Sequence, residues 1–76
     1  MTETEAIIDF GRSLEFMMQE RRMTRQELAI ESGVSEATIS RCINGKFLPN
    51  LRTIVNLSYA LSCDISELIG AYEKIR

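Results

Sequence analysis

Residues 24–45 read TRQELAIESGVSEATISRCING, and the fold turns on how this stretch divides. Thr24 followed three residues later by Glu27 fits a capping box, in which hydroxyl and carboxylate each satisfy a backbone N–H that a helix start leaves unpaired. Ser35 is a good N-cap for a second helix from Glu36 onward. Between them Gly33 can take the φ > 0 conformation of a sharp helix stop with no Cβ to clash. Ala29 is small where the two helices must approach, and Leu28, Val34 and Ile39 can fill the angle between them. Two short helices crossing steeply over a Gly-containing turn make a helix-turn-helix unit, whose second helix can lie in the DNA major groove.

Outward from this stretch, the composition fits one small domain. The 76 residues are near the lower limit for folding without a metal or disulfides. An apolar share of 45% with one Pro and four Gly argues for a packed fold over disorder. No run approaches the ~18–20 apolar residues that span a bilayer. The opening MTETEAIIDF is acidic, the reverse of a secretory leader's basic start, and the expected location is the cytoplasm. Cys42 and Cys63 are the two cysteines, and there is no His. The usual zinc spacings and a Cys–His nucleophile pair are therefore excluded, and reduced, partly buried thiols are expected.

The net charge of −2 is unusual for a protein that would neutralise phosphates, but its distribution matters more than its sum. In residues 1–19, Glu3, Glu5, Asp9 and Glu15 against Arg12 leave −3. In 20–53, Arg21, Arg22, Arg25, Arg41, Lys46 and Arg52 against Glu20, Glu27, Glu31 and Glu36 leave +2. The remainder contributes −1. The one positive segment holds the helix-turn-helix.

Five helices account for nearly the whole chain, with no repeat, linker or strand pattern. The first is expected from about Thr4 to Arg22, with Ile7, Phe10, Leu14, Met17 and Met18 on one stripe and Gly11 beside it for close packing. The second and third belong to the quoted stretch. Asn44-Gly45 ends the third, and Lys46-Phe47-Leu48-Pro49 forms a loop. Asn50 caps a fourth, Leu51 to Leu61, with Leu51, Ile54, Leu57 and Leu61 at helical spacing. Asp64 with Glu67 makes a further capping box for a short fifth helix through Leu68 and Ile69, closed by Gly70. The fold class expected is all-α.

From Phe10 to Ile69 the sequence resembles the phage repressor and Cro-like (XRE-type) helix-turn-helix family of transcriptional regulators. The elements that carry it are FGRSLEFMMQERRMT, QELAIESGVSEATIS, NGK with the downstream Pro49, and LRTIVNLSYALSCDISELI. The resemblance implies a compact five-helix lambda-repressor-like DNA-binding domain over residues 1–76. It also implies operator binding, commonly as a homodimer on two-fold related half-sites; nothing in composition or periodicity speaks to that dimer.

If the third helix docks in the major groove, Glu36, Ala37, Ser40 and Arg41 lie on its outward face, opposite Ile39 and Cys42. The resemblance makes these four the base-contacting positions, with Thr38 bordering the phosphates. Arg41 is the best single candidate, because a guanidinium can bond guanine O6 and N7 in bidentate fashion. Glu36 could accept from cytosine N4, and Ala37 could rest on a thymine methyl. Two plainer readings stay open: Glu36 favouring the positive helix N-terminus, and Arg41 pairing with a carboxylate such as Glu36. Phosphate contacts are expected from Arg25, Ser35, Thr38, Asn44, Lys46, Asn50 and Arg52, the last two beside exposed N–H groups at a helix start. Arg21 is expected in a structural salt bridge to Glu27.

Several positions usually polar in that family are apolar here: Phe16, Ile30, Ile43, Phe47 and Leu48. Phe16 sits roughly opposite Ile7 on the first helix, so the two are not expected to share one core. The N-terminal residues with Ile7 and Ile8, or the tail with Tyr72 and Ile75, could cover some of these side chains. Alternatively Ile43, Phe47 and Leu48 form a contiguous patch that meets a second protomer. Cys42 stands where an aliphatic residue is usual, and core filling is favoured over a redox switch.

Two functions remain. One is a sequence-specific DNA-binding regulator, a repressor of phage or mobile-element type whose partner is double-stranded DNA. The other is a protein-interaction module, antitoxin-like or anti-repressor-like, that keeps the fold with weak DNA affinity. An enzyme is not expected, for want of a nucleophile–base pair, metal set or phosphate loop, and neither a cofactor nor a membrane partner is implied.

Overall fold

The structure, a computed structural model, describes residues 2–69. Four helices are α1 (Glu3–Glu20), α2 (Arg25–Ser32), α3 (Glu36–Ile43) and α4 (Leu51–Ala60). A fifth, α5, covers 65–69. Among the described residues there is no strand, and no helix is long and apolar enough to cross a membrane.

Each helix starts on the residue its chemistry favours. Thr24 caps α2 in a complete capping box, Ser35 caps α3 and Asn50 caps α4. The first helix begins earlier than Thr4, because Thr2 and Glu5 form a capping box of their own. It also stops at Glu20 instead of reaching Arg22, whose φ of 52° turns the chain out of the helix. The capping box expected of Asp64 with Glu67 is not the arrangement found: the backbone carbonyl of Asp64, rather than its side chain, accepts the N–H groups of Glu67 and Leu68, which opens α5. The expected stop at Gly70, and the tail residues Tyr72 and Ile75, lie outside the described residues.

The core joins all five helices through Phe10, Leu14, Met17 and Met18 of α1, Leu28 of α2, Ile39 and Cys42 of α3, Ile54 and Leu57 of α4, and Leu61 and Leu68. Gly11 lets α1 approach the end of α3: a Cβ there would sit 2.2 Å from the Cys42 carbonyl oxygen. Phe16 packs on this core, whereas Ile7, expected on the core stripe, is only half-buried and stands outside it, so the two do not share one core. Leu51 departs from expectation. It is 67% exposed, since burial along α4 begins one turn later at Ile54.

Arg21 forms no bridge to Glu27. Its Nε donates to the Leu61 carbonyl at the end of α4, and its Nη1 lies 3.9 Å from the Met17 sulfur. The Glu27 carboxylate accepts from the Thr24 N–H at 2.9 Å instead. Arg21 thus ties the end of α1 to an otherwise orphan helix-end carbonyl, which needs a donor.

Candidate nucleic-acid interface

The geometry of α3 follows from its two faces. Ile39 and Cys42 are fully buried, and Cys42 lies against α1. Glu36, Ala37 and Arg41 are exposed on the other side, with Ser40 and Thr38 half-buried at its edges. The acidic helix α1 therefore lies behind α3, on its inner face.

Polar groups around α3 are already organised. The Ser35 hydroxyl accepts the Thr38 N–H at 3.1 Å and donates to Thr38 Oγ1 at 2.9 Å, which leaves the Thr38 hydroxyl proton available as a donor. Arg25, at the first position of α2, donates through Nη1 to Ser40 Oγ at 3.1 Å. This bond links the two helices and leaves the Ser40 O–H as a donor. The Arg41 guanidinium lies over the Phe47 ring, 5.8 Å from its centroid. Of the two plainer readings weighed above, the pairing of Arg41 with Glu36 is not the arrangement found.

The C-terminal turn of α3 is a Schellman motif. Lys46 N–H donates to Arg41 O at 2.9 Å, Gly45 N–H to Cys42 O at 3.1 Å, and Gly45 takes φ +70°. Asn44 and Lys46 are exposed on this turn. Beyond it, Asn50 spends its side-chain oxygen on the Thr53 N–H at 2.9 Å, leaving its NH₂ group as the free end. Arg52 is exposed beside it. The first turn of α4 carries no acidic residue, whereas those of α1, α2 and α3 each do, so its positive end is not offset locally.

The patch expected from Ile43, Phe47 and Leu48 is only partly exposed. Ile43 and Phe47 are half-buried against the core, and only Leu48, at 44%, is exposed. The reason is the Schellman turn, which folds the loop back onto the domain. Sequence reasoning missed the Arg25–Ser40 and Arg41–Phe47 contacts; only an aromatic shortly after an Asn-Gly helix stop hinted at the second.

Burial pushes the Cys42 thiol up to about 11, outweighing the opposing pull of the Arg41 charge. Hydrogen bonds from Thr24, first its backbone and then its side chain, hold the Glu27 carboxyl below its ordinary 4.5.

Residues 13–74 match the Cro/C1-type HTH DNA-binding domain. The chain belongs to this Cro/C1-type family. Relatives from Bacillus subtilis (strain 168) include the HTH-type transcriptional regulator RghRB, 38% identical over 63 residues, which covers 82% of this chain and 45% of the relative. The HTH-type transcriptional repressor RghR is 47% identical over 53 residues, covering 68% of this chain and 39% of the relative. The Cro/C1-type chain therefore spans less than half the length of either. Two solved structures share its fold: an HTH_3 family transcriptional regulator from Vibrio cholerae and the restriction-modification controller protein C.AhdI from Aeromonas hydrophila. The first has a TM-score of 0.88 at 19% identity, over 95% of this chain and 40% of that one. The second has 0.78 at 24%, over 82% and 94%.

Proposed function

We propose that this chain is the DNA-reading part of a sequence-specific transcriptional regulator, a repressor of phage or mobile-element type that works in the cytoplasm as a homodimer on two-fold related operator half-sites. The observation that carries this is the two-sided α3, with Ile39 and Cys42 sealed in the core and Glu36, Ala37 and Arg41 left to solvent. In this reading Glu36, Ala37, Ser40 and Arg41 meet base edges, while Arg25, Ser35, Thr38, Asn44, Lys46, Asn50 and Arg52 meet phosphates and sugars. RghR, named a repressor, supports the direction of control.

Selection of bound sequences from a random duplex pool tests the reading. Arg41→Ala is expected to relax preference at one base-pair position at a cost of ~1–3 kcal/mol, and Lys46→Ala to weaken all sites about equally. Recovery of no consensus would sink it. A second reading, a protein-interaction module of weak DNA affinity, draws on the net charge of −2 and on Ile30 and Tyr59, exposed at 74% and 80%. Binding to duplex DNA that is weak and indifferent to sequence would favour it.

A further inference from the structure

We propose that Phe47 is a positioning residue for base recognition: its ring is a shelf that holds the Arg41 guanidinium extended before DNA arrives, and so sharpens selection at the base pair Arg41 meets. This rests on the reading of Arg41 as a base contact.

Three observations place the ring under independent control. Phe47 is half-buried and packed against the core, so the domain fixes it whether or not Arg41 lies above. The Arg41 carbonyl receives the Lys46 N–H that closes the Schellman turn, so the bond that returns the chain starts from the residue whose side chain the ring then meets. The turn is also backed by α1: a Cβ on Gly45 would lie 3.5 Å from Ile8 Cγ1. The guanidinium thus sits 5.8 Å from a fixed ring, within the ~6 Å reach of a cation–π contact.

The chemistry distinguishes this from an ion pair. A carboxylate would occupy the N–H edge that guanine O6 and N7 require, whereas an aromatic face takes only the cation's charge and leaves its N–H groups unspent. Restricting a flexible arginine beforehand also removes part of the ordering cost that it would otherwise meet on binding. The effect falls on one base pair, because a single side chain is held.

The test uses the whole chain and a duplex selected from a random pool, with affinities for that duplex and its single-base-pair variants measured by fluorescence anisotropy. Phe47→Leu, which keeps apolar volume, is expected to retain the fold by circular dichroism. It should lose about two- to five-fold in discrimination at the position that Arg41→Ala also affects, and at no other. Phe47→Tyr should restore it, and in an Arg41→Ala background Phe47→Leu should change nothing. A uniform loss across all positions, or a loss that persists without Arg41, would reduce Phe47 to core packing and overturn the proposal. If Arg41→Ala leaves every base preference intact, the base-contact reading itself falls and this inference with it. One measurement needs neither variant nor DNA: ring current should move the Arg41 side-chain protons upfield in the NMR spectrum, and ordinary shifts there would also overturn it.

Discussion

At Cys42 a thiol takes the place of an aliphatic side chain, and its surroundings make it behave as one. Loss of water raises its pKa to about 11, so at pH 8 only about one thiol in a thousand is ionised and reactive. Cys63 is half-buried, and burial raises its thiol too, with Arg21 pulling down and Glu67 and Asp64 pushing up. Brief iodoacetamide treatment of the folded chain should therefore label Cys63 well before Cys42, with the two equal in urea; equal labelling without urea would contradict the buried position. The inward placement of Cys42 was legible, since it follows the apolar Ile39 by one helical turn on a face opposite Arg41. The partner of Arg21 was not. A guanidinium suggests a carboxylate, but the acceptor is a backbone carbonyl 40 residues away, which leaves no mark in the side-chain pattern. Phe47 escaped for a similar reason, because its meeting with Arg41 depends on the path of a turn.

Helix starts were easier to read than helix ends. Thr24, Ser35 and Asn50 act through side chains that name themselves, and all three cap as the sequence indicates. Ends depend on a left-handed residue, legible only where it is Gly, as at Gly33 and Gly45. The ends of α1 and α4 use the same Schellman bonds, Met23 N–H to Met18 O and Cys63 N–H to Ser58 O, around Arg22 and Ser62 at φ 52° and 55°. A side chain in that conformation costs roughly 1–2 kcal/mol, partly offset by the greater freedom of an unfolded glycine. Ser62→Gly should thus stabilise the domain by about 0.5–1 kcal/mol, seen as a Tm several degrees higher; an unchanged or lower Tm would mean that the hydroxyl matters more than the backbone. Gly11 reverses the usual rule. Alanine in a helix ordinarily gains about 1 kcal/mol over glycine. Here its Cβ would meet the Cys42 and Ile43 carbonyl oxygens at 2.2 and 3.0 Å, and backbone atoms can yield only if the helices part. Gly11→Ala should lose about 1–3 kcal/mol in chemical denaturation, and a gain would show that α1 and α3 are not held this close.

At the scale of the whole molecule, charge and size bear on how the domain would meet DNA. The acidic α1 packs behind α3, and Arg25, Lys46 and Arg52 are all exposed, so the net charge of −2 understates what the segment around α3 can offer a phosphate. Each phosphate that a cation neutralises contributes about 0.9 to the slope of log affinity against log salt. Three such residues give a slope of about −3 for one chain, and two chains on one duplex give about −5. The second case is the homodimer proposed above. The described residues extend 31 Å, short of the ~34 Å between half-sites one helical turn apart, so two such half-sites would take two chains, one α3 to each. A duplex with two half-sites should therefore lose affinity with salt about twice as steeply as one with a single half-site, and should carry two chains in sedimentation. Equal slopes and one chain on both duplexes would refute the homodimer while leaving the single-site reading standing, because a lone α3 with its flanking cations still accounts for the shallower slope.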